Sequence, residues 1–318
     1  MSLIKRVNPF IKSKTDTGFG TNADAQAGRF LNKDGSFNVV KKGASVKERV
    51  GIYNSMLTMP SWEFLALIFT GFILINLFFC SIYFLLDDKE LTGIINGSAA
   101  QRFKELFFFS AQTLTTVGYG RINPVGDAAS IVASAEALTG FLLLAIATGL
   151  FYGRFSRPRA FLNFSKHALI APYQDKTALM FRFASYKNNH NLTDVEARVT
   201  LGITLQENGK SVFKFYELKL ERSHIDSLVM NWTIVHPIDE DSPLYGFTKE
   251  DLGAGDAEIY VLVRGFDDIF SNIVLSRSSY TYGEIIFNAR FSPMYSESED
   301  GTTTILELNK LNGYKILP

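Results

Sequence analysis

Thr115-Thr116-Val117-Gly118-Tyr119-Gly120 closes a stretch beginning near Gln101 and lying between the two most apolar segments of a 318-residue chain. Gly118 and Gly120 alternate with two large side chains. Lacking a Cβ, the glycines admit dihedrals that turn successive carbonyls the same way, while Val117 and Tyr119 pack outward. Upstream, Phe103–Thr113 reads as a short helix leading into this run. On one side, Phe64 to Leu86 carries no charge; on the other, Ala128 to Tyr152 carries one, Glu136. A helix needs about 20 apolar residues to cross about 30 Å of hydrocarbon. Trp62 and Tyr83 lie near the ends of the first segment, where amphipathic rings settle at a lipid interface. Two membrane spans joined by the quoted stretch is the reading. Two buried core helices of a soluble protein is the alternative, and uncharged runs of this length are rare outside membranes. The first apolar run starts too far along the chain to be a cleaved signal peptide.

Composition narrows the classes. The 32 basic and 32 acidic residues give a formal net charge of zero, which argues against a nucleic-acid partner. With 47% hydrophobic and 20% charged residues the chain is neither disordered nor collagen-like. A single cysteine, Cys80, excludes an internal disulfide framework and a Cys-based zinc site. His167, His190, His224 and His236 are scattered, without metal-ligand spacing. Cations crowd the residues before the first span, from Lys5 to Arg49, and return after the second as Arg154, Arg157, Arg159 and Lys166. The loop between the spans carries Asp87, Asp88, Glu90 and Glu105. By the positive-inside rule both termini are cytoplasmic, in a multi-pass protein of the cell membrane.

The remainder reads as β structure. From Glu196 to Gln206 apolar residues occupy every second position, from Ala197 to Leu205, as in a half-buried strand. Asn208-Gly209 is a hairpin signal, and a second strand follows from Val212 to Leu220. Further β-rich runs occupy Ala178–Tyr186, Trp232–Ile238, Glu258–Phe266, Glu284–Phe291 and Thr302–Leu308. Turns without helical intervals between them point to a sandwich. The expected segments are a cytoplasmic N-terminal stretch (1–45), an interfacial helix (46–60), an outer span (61–86), a re-entrant loop (87–127), an inner span (128–156) and a cytoplasmic β-domain (157–318).

Backbone carbonyls of Thr116 to Gly120 can replace the water shell of a potassium ion, and the Thr116 hydroxyl adds a further ring of oxygens. One chain supplies one side of such a ring, so the reading requires a symmetric assembly, with four chains expected. No nucleophile–base pair, Walker loop or metal cluster accompanies it, so passive conduction is expected rather than catalysis, with no cofactor beyond potassium ions in the pore.

Residues well beyond the filter strengthen this. The chain resembles an inward-rectifier potassium channel of the prokaryotic branch. The likeness is carried by the filter run, by Arg29-Phe30-Leu31-Asn32-Lys33-Asp34-Gly35, by Val46 to Met59 as an interfacial "slide" helix, and by Ala147 to Leu150 with Arg154 to Ala160. His236 to Gly246 is the most specific run. The resemblance implies a homotetramer with two spanning helices per chain, an all-α pore domain, and immunoglobulin-like all-β cytoplasmic domains that extend the pore.

Departures from the family qualify what carries over. Where eukaryotic members pair a pore-helix Glu with an Arg just after the filter, this chain has Gln112 and Ile122, with Arg121 next door. That brace is missing; Arg121 pairs with Glu136 or is solvated. Leu144 stands where strong rectifiers carry an acid. Leu144, Thr148 and Tyr152 share one stripe of the inner helix, and the resemblance puts Tyr152 at a gate formed by aromatic rings; an interfacial tyrosine is the alternative. Gly140 and Gly149 are either hinges or sites of close helix packing. Arg154, Arg157 and Arg159, with Lys47 and Arg49, form a candidate site for anionic lipid headgroups, or merely set topology. By resemblance Glu196, Asp267 and Asp268 line the cytoplasmic pore, where Arg264 replaces an acid. His236 reads as a structural hydrogen-bonding residue. Barium, magnesium and polyamines are the expected blockers. The rival reading is a non-conducting membrane-anchored β-sandwich sensor or binding protein.

Overall fold

The computed structural model describes residues 13, 29–40, 42–43, 45, 51–95, 97–188, 190–207 and 210–318. It separates into two compact units, Lys42–Arg157 and Met1–Lys41 with Pro158–Pro318.

The first unit is helical. Helix α1 (Ile52–Thr58) is followed by α2 (Ser61–Leu85), α3 (Ala99–Leu114) and α4 (Asp127–Phe155). At 1.5 Å per residue the 25-residue α2 and 29-residue α4 extend about 37 and 43 Å, enough to cross a bilayer. Their apolar residues largely face outward: Leu65, Phe69, Leu74 and Phe78 on α2, and Ile131, Leu138, Phe141 and Ile146 on α4, are exposed. A core helix of a soluble protein would bury them, so that alternative falls. Helix α3 starts earlier than the sequence suggests, because Ser98 caps it, its Oγ accepting the Gln101 N–H at 3.3 Å. Short strands β1 (Leu91–Thr92) and β2 (Asn123–Pro124) pair antiparallel on either side of α3. Phe79, Cys80 and Tyr83 of α2 pack with Leu106 and Phe109 of α3 and Ala129 of α4 in a small core. Tyr83 is therefore no interfacial ring: it is fully buried, edge-on to Phe109 at 5.1 Å. Trp62 is exposed, as expected.

The second unit is a β-sandwich. Its strands are β3 (Leu162–Phe164), β4 (Ala168–Tyr173), β5 (Lys176–Ser185), β6 (Leu192–Glu207), β7 (Lys210–Glu217), β8 (His224–Leu228), β9 (Asn231–Ile238), β10 (Glu258–Asp267), β11 (Asn272–Thr281) and β12 (Ile285–Phe287). One five-stranded sheet runs β11-β10-β6-β7 with β8 also on β6; the other runs β12-β4-β5-β3 with β9 also on β5. Between them the alternate residues Ala197, Val199, Leu201, Ile203 and Leu205 of β6 meet Phe181 and Phe183 of β5 and Ile234 of β9. This is the face that the period of two predicts. Asn208-Gly209 lies outside the described residues, although Glu207 and Lys210 pair directly across it. The predicted run Glu284–Phe291 is broken: a 3-10 turn at Tyr282–Glu284 precedes β12, and Asn288, at φ +53°, separates it from β13 (Ala289–Phe291). Strands β14 (Tyr295–Glu297) and β15 (Thr304–Leu306) form a small hairpin and β16 (Tyr314–Ile316) pairs with β13; β15 is shorter than expected because the chain turns at Leu308–Lys310.

The N-terminal segment folds onto this sandwich. Leu31 is buried with Phe215 and Tyr260, and the Ser279 Oγ donates to its carbonyl at 2.5 Å. Arg29 Nη2 reaches Glu284 at 2.9 Å, and Lys33 Nζ lies 3.5 Å from the same carboxylate and 3.4 Å above the Tyr280 ring.

Candidate functional site

Helix α3 delivers the filter-like run. Past Leu114, the Thr115 N–H still bonds to the Ala111 carbonyl at 3.2 Å, and the Val117 and Gly118 N–H groups both donate to the Gln112 carbonyl at 3.0 and 3.2 Å. The conformation of the run is thus tied to the last turn of α3. Thr116, Gly118 and Gly120 have φ of +60°, +53° and +78°, with Val117 and Tyr119 in between on the negative side. That alternation of handedness swings successive carbonyls toward one side of the strand. Only the glycines were foreseeable from composition; a β-branched residue such as Thr116 in the left-handed region carries strain on the order of 1–3 kcal/mol. A Cβ at Gly118 or Gly120 would meet nothing within 4 Å, so what demands glycine there is the dihedral, not space. Val117 and Tyr119 are exposed at 54% and 79% within their own chain.

Behind the run the expected partners are rearranged. Arg121 does not reach Glu136. Its Nη2 lies in ion-pair contact with Glu105 of α3, although no N–H is aligned on that oxygen. Glu105 is carried by the middle of α3, on its buried face with Leu106 and Phe109, and meets the chain as it returns from the run. Asn123 Nδ2 donates to the Gly120 carbonyl at 2.8 Å, and its backbone pairs with Thr92, so the end of the run is anchored in the β1–β2 ladder. Glu136, fully buried, instead accepts the Ser110 hydroxyl at 2.5 Å and the Tyr83 hydroxyl at 2.7 Å. Sequence reading missed this contact, since Ser110 and Tyr83 carry no charge to advertise a partner.

Gly140 is a site of close helix packing. A Cβ there would stand 1.8 Å from the Leu114 carbonyl oxygen, so the backbones of α4 and α3 touch at this point, and α4 runs unbroken through it. Gly149 has nothing within 4 Å. Leu144 and Tyr152 are exposed at 66% and 73%, and the Thr148 hydroxyl between them donates to the Leu144 carbonyl at 2.8 Å. The stripe is thus open to whatever lies beside it.

Arg154, a candidate lipid ligand, engages its guanidinium within the chain. Its guanidinium donates to the Met56 and Met59 carbonyls at 2.6 and 2.8 Å and covers the Phe64 ring at 4.5 Å, tying the end of α4 to the end of α1. Those carbonyls lie at the helix C-terminus, where a cation is favourable. Arg157 and Arg159 are exposed. Lys47 and Arg49 lie outside the described residues, as does the first part of the predicted 46–60 interfacial helix.

In the β unit, Glu196 is half neutralised in place: Arg198 Nε donates to its Oε1 at 2.8 Å, and Arg264 is its register partner on β10. These three side chains, with Leu262, Ile273 and Leu275, line an open recess of about 360 Å³. Asp267 does not face a pore. It is fully buried, accepts the Ile269 and Phe270 N–H groups at 3.0 and 2.9 Å, and meets His190 Nδ1 at 3.0 Å. Burial alone would raise its pKa; the His190 and backbone hydrogen bonds outweigh it and hold the carboxyl below its ordinary value. Asp268, next along, is exposed. His236 is structural, as expected: Nδ1 meets the Lys219 carbonyl at 2.6 Å and Nε2 the Ser242 hydroxyl at 2.8 Å, while burial pushes its pKa down. Among the described residues no group of His, Cys, Asp and Glu is arranged to hold a metal ion.

Comparison with known proteins draws these observations together. Residues 162–314 match the family described as inward rectifier potassium channel C-terminal domain, and residues 64–157 match a family described as ion channel. The chain is 33% identical over 294 residues to inward rectifier potassium channel Kirbac3.1 of Paramagnetospirillum magnetotacticum, covering 92% of this chain and 98% of that protein. It is 28% identical over 311 residues to inward rectifier potassium channel 4 of Homo sapiens, covering 85% of this chain and 69% of the relative. With a relative this similar spanning nearly its whole length, and two membrane-length helices ahead of a β-sandwich, the chain belongs to the inward rectifier potassium channel family and is a potassium channel, not an enzyme.

Proposed function

We propose that four copies of the chain surround one pore, in which Thr116, Val117, Gly118, Tyr119 and Gly120 form the selectivity filter. The positive φ at Thr116, Gly118 and Gly120, alternating with Val117 and Tyr119, carries this reading, since such alternation lets successive backbone oxygens turn to one side. Val117 and Tyr119, largely exposed within one chain, gain further packing from neighbouring chains. Leu144, Thr148 and Tyr152 line the cavity below, and rings of Tyr152 close it by excluding water. Gly149, which has open space around it, supplies the flexibility for opening. Both termini are cytoplasmic, so the sandwich hangs on that side and Asp268 with Glu196 faces the ion path. Arg157 and Arg159, exposed at the cytoplasmic end, hold anionic lipid headgroups, together with Lys47 and Arg49.

Flux from liposomes containing the purified protein tests the core of this. Potassium efflux should greatly exceed sodium efflux and be blocked by barium, and Gly118→Ala should abolish the selective component while the β-domain keeps its fold. Undiminished, equally selective flux in Gly118→Ala would overturn the filter assignment.

A further inference from the structure

Four buried polar side chains meet where α2, α3 and α4 come together: Asn76 and Tyr83 on α2, Ser110 on α3, and Glu136 on α4. Each has no solvent exposure. The Glu136 carboxyl divides its oxygens between two helices. Oε1 accepts from Ser110 Oγ at 2.5 Å and Oε2 from Tyr83 Oη at 2.7 Å. Ser110 Oγ also lies 3.2 Å from the Asn76 carbonyl and side-chain oxygens. A hydroxyl has one hydrogen, and the shorter contact to a carboxyl oxygen takes it. Asn76 meanwhile spends its Nδ2 on the Phe72 carbonyl at 2.7 Å, within its own helix. In a span surrounded by hydrocarbon nothing else can satisfy an acid, so these two hydroxyls are what make Glu136 tolerable.

The position of this contact matters as much as its chemistry. Ser110 lies four residues before Leu114, and Glu136 four before Gly140. The second pair also touches, since Gly140 leaves no room for a Cβ beside the Leu114 carbonyl. Two helices held at points four residues apart on both are locked against sliding and against rotation. One point is a hydrogen bond and the other a backbone contact. Ser110 is two residues from Gln112, whose carbonyl receives the Val117 and Gly118 N–H groups. Movement of α3 by a fraction of an ångström is therefore delivered straight to the filter-like run. The acid–guanidinium pair that relatives place at Gln112 and Ile122 is absent here, which leaves the run more dependent on the helix beneath it.

We propose that Glu136 is a positioning residue for ion selection: its carboxyl buckles α3 to α2 and α4, and so sets the geometry of Thr116 to Gly120. This rests on the reading of that run as the filter. A gap as small as the loss of one strong, buried hydrogen bond corresponds to roughly a tenfold change in an equilibrium or rate ratio.

The test measures the sodium-to-potassium permeability ratio of the full-length channel in planar bilayers, alongside elution of the assembled protein in detergent. Ser110→Ala, which removes one hydroxyl and adds no bulk, should raise that ratio roughly tenfold without changing assembly. Glu136→Leu should raise it at least as far. Glu136→Gln should keep the parental ratio, because its amide can accept from Ser110 and donate to Tyr83. Tyr83→Phe, which removes the α2–α4 hydrogen bond and leaves the Ser110 bond from α3 to Glu136 in place, should have the smaller effect. If Ser110→Ala assembles and keeps the parental ratio, Glu136 is a structural residue only and the proposal fails, even where Glu136→Leu does not fold. An unmodified channel that does not prefer potassium would overturn the filter reading and this proposal with it.

Discussion

Arg121, the first residue after the Thr116–Gly120 run, is ion-paired with Glu105, sixteen positions back on α3 and nearly buried. The pair spans the run from outside, joining the chain that leaves it to the helix that enters it. It lies about two turns along the same helix from Gln112, where no such pair forms. Because Arg121 is half exposed, much of the attraction is screened, whereas the carboxylate is not.

Removing the arginine should therefore cost more than removing both partners. Arg121→Gln strands Glu105 with 7% of its side chain exposed and should destabilise the assembled channel by about 1–2 kcal/mol; adding Glu105→Gln should recover most of the loss. Chemical denaturation of the purified protein checks this, and a single variant as stable as the parent would show that the pair contributes nothing.

Gly140 and Gly149 should behave differently under the same substitution. Gly140→Ala forces a methyl group into the Leu114 carbonyl, displacing α3 and with it the filter-like run, so selective flux should fall by an order of magnitude or more. Gly149→Ala meets no atom and should leave selectivity intact, altering at most the open fraction. Single-channel recordings separate the two; equal loss of selectivity in both would contradict the packing assigned to Gly140.

Rectification should be weak. Block by a cytoplasmic polyamine needs negative charge inside the cavity, and Leu144 offers none. Glu196 cannot substitute, because Arg198 holds its carboxylate at 2.8 Å and Arg264 lies opposite. Leu144→Asp should strengthen spermine block strongly, and Glu196→Gln should leave it almost unchanged. Strong voltage-dependent block of the unmodified channel would mean that another residue provides the charge.

Lys33 gives the β unit a pH dependence of predictable sign. Burial pushes its ammonium down from 10.5 to about 8; Glu284 pulls the value back up and Arg29 repels. Between about pH 8 and 10.5 the unfolded chain holds a proton that the native one has shed, so stability from this group rises with pH across that window and is flat below it. Lys33→Met should lack this rise. Urea unfolding of parent and variant through the window checks it, and parallel curves would remove Lys33 from the account.

Several features were legible without coordinates because they depend on local composition. Uncharged runs of membrane length point to spanning helices, being rare elsewhere. The alternation through β6 declares a one-sided strand, since adjacent side chains point to opposite faces. Gly118 and Gly120 declare positive φ, and His236 its structural role. Strand β11 was invisible, with Asn272, Ser276, Arg277, Ser278 and Ser279 giving no apolar period; its ten residues are held by pairing with β10. The sign of φ at Thr116 was equally hidden, being imposed by hydrogen bonds to Gln112 and not by its own preference. Partner choice was the least legible. Glu136 is the one charge from Ala128 to Tyr152, and sequence offers Arg121 as its partner, yet helix packing turns Glu136 toward two neutral hydroxyls and gives Arg121 to Glu105. Asp267 likewise looked like a pore acid until the β10–β11 turn enclosed it with His190. Charge and periodicity are properties of neighbouring residues, and the sequence states them directly. Which buried donor meets which acceptor depends on the rotation and depth of whole helices and strands, which are fixed only when distant surfaces pack.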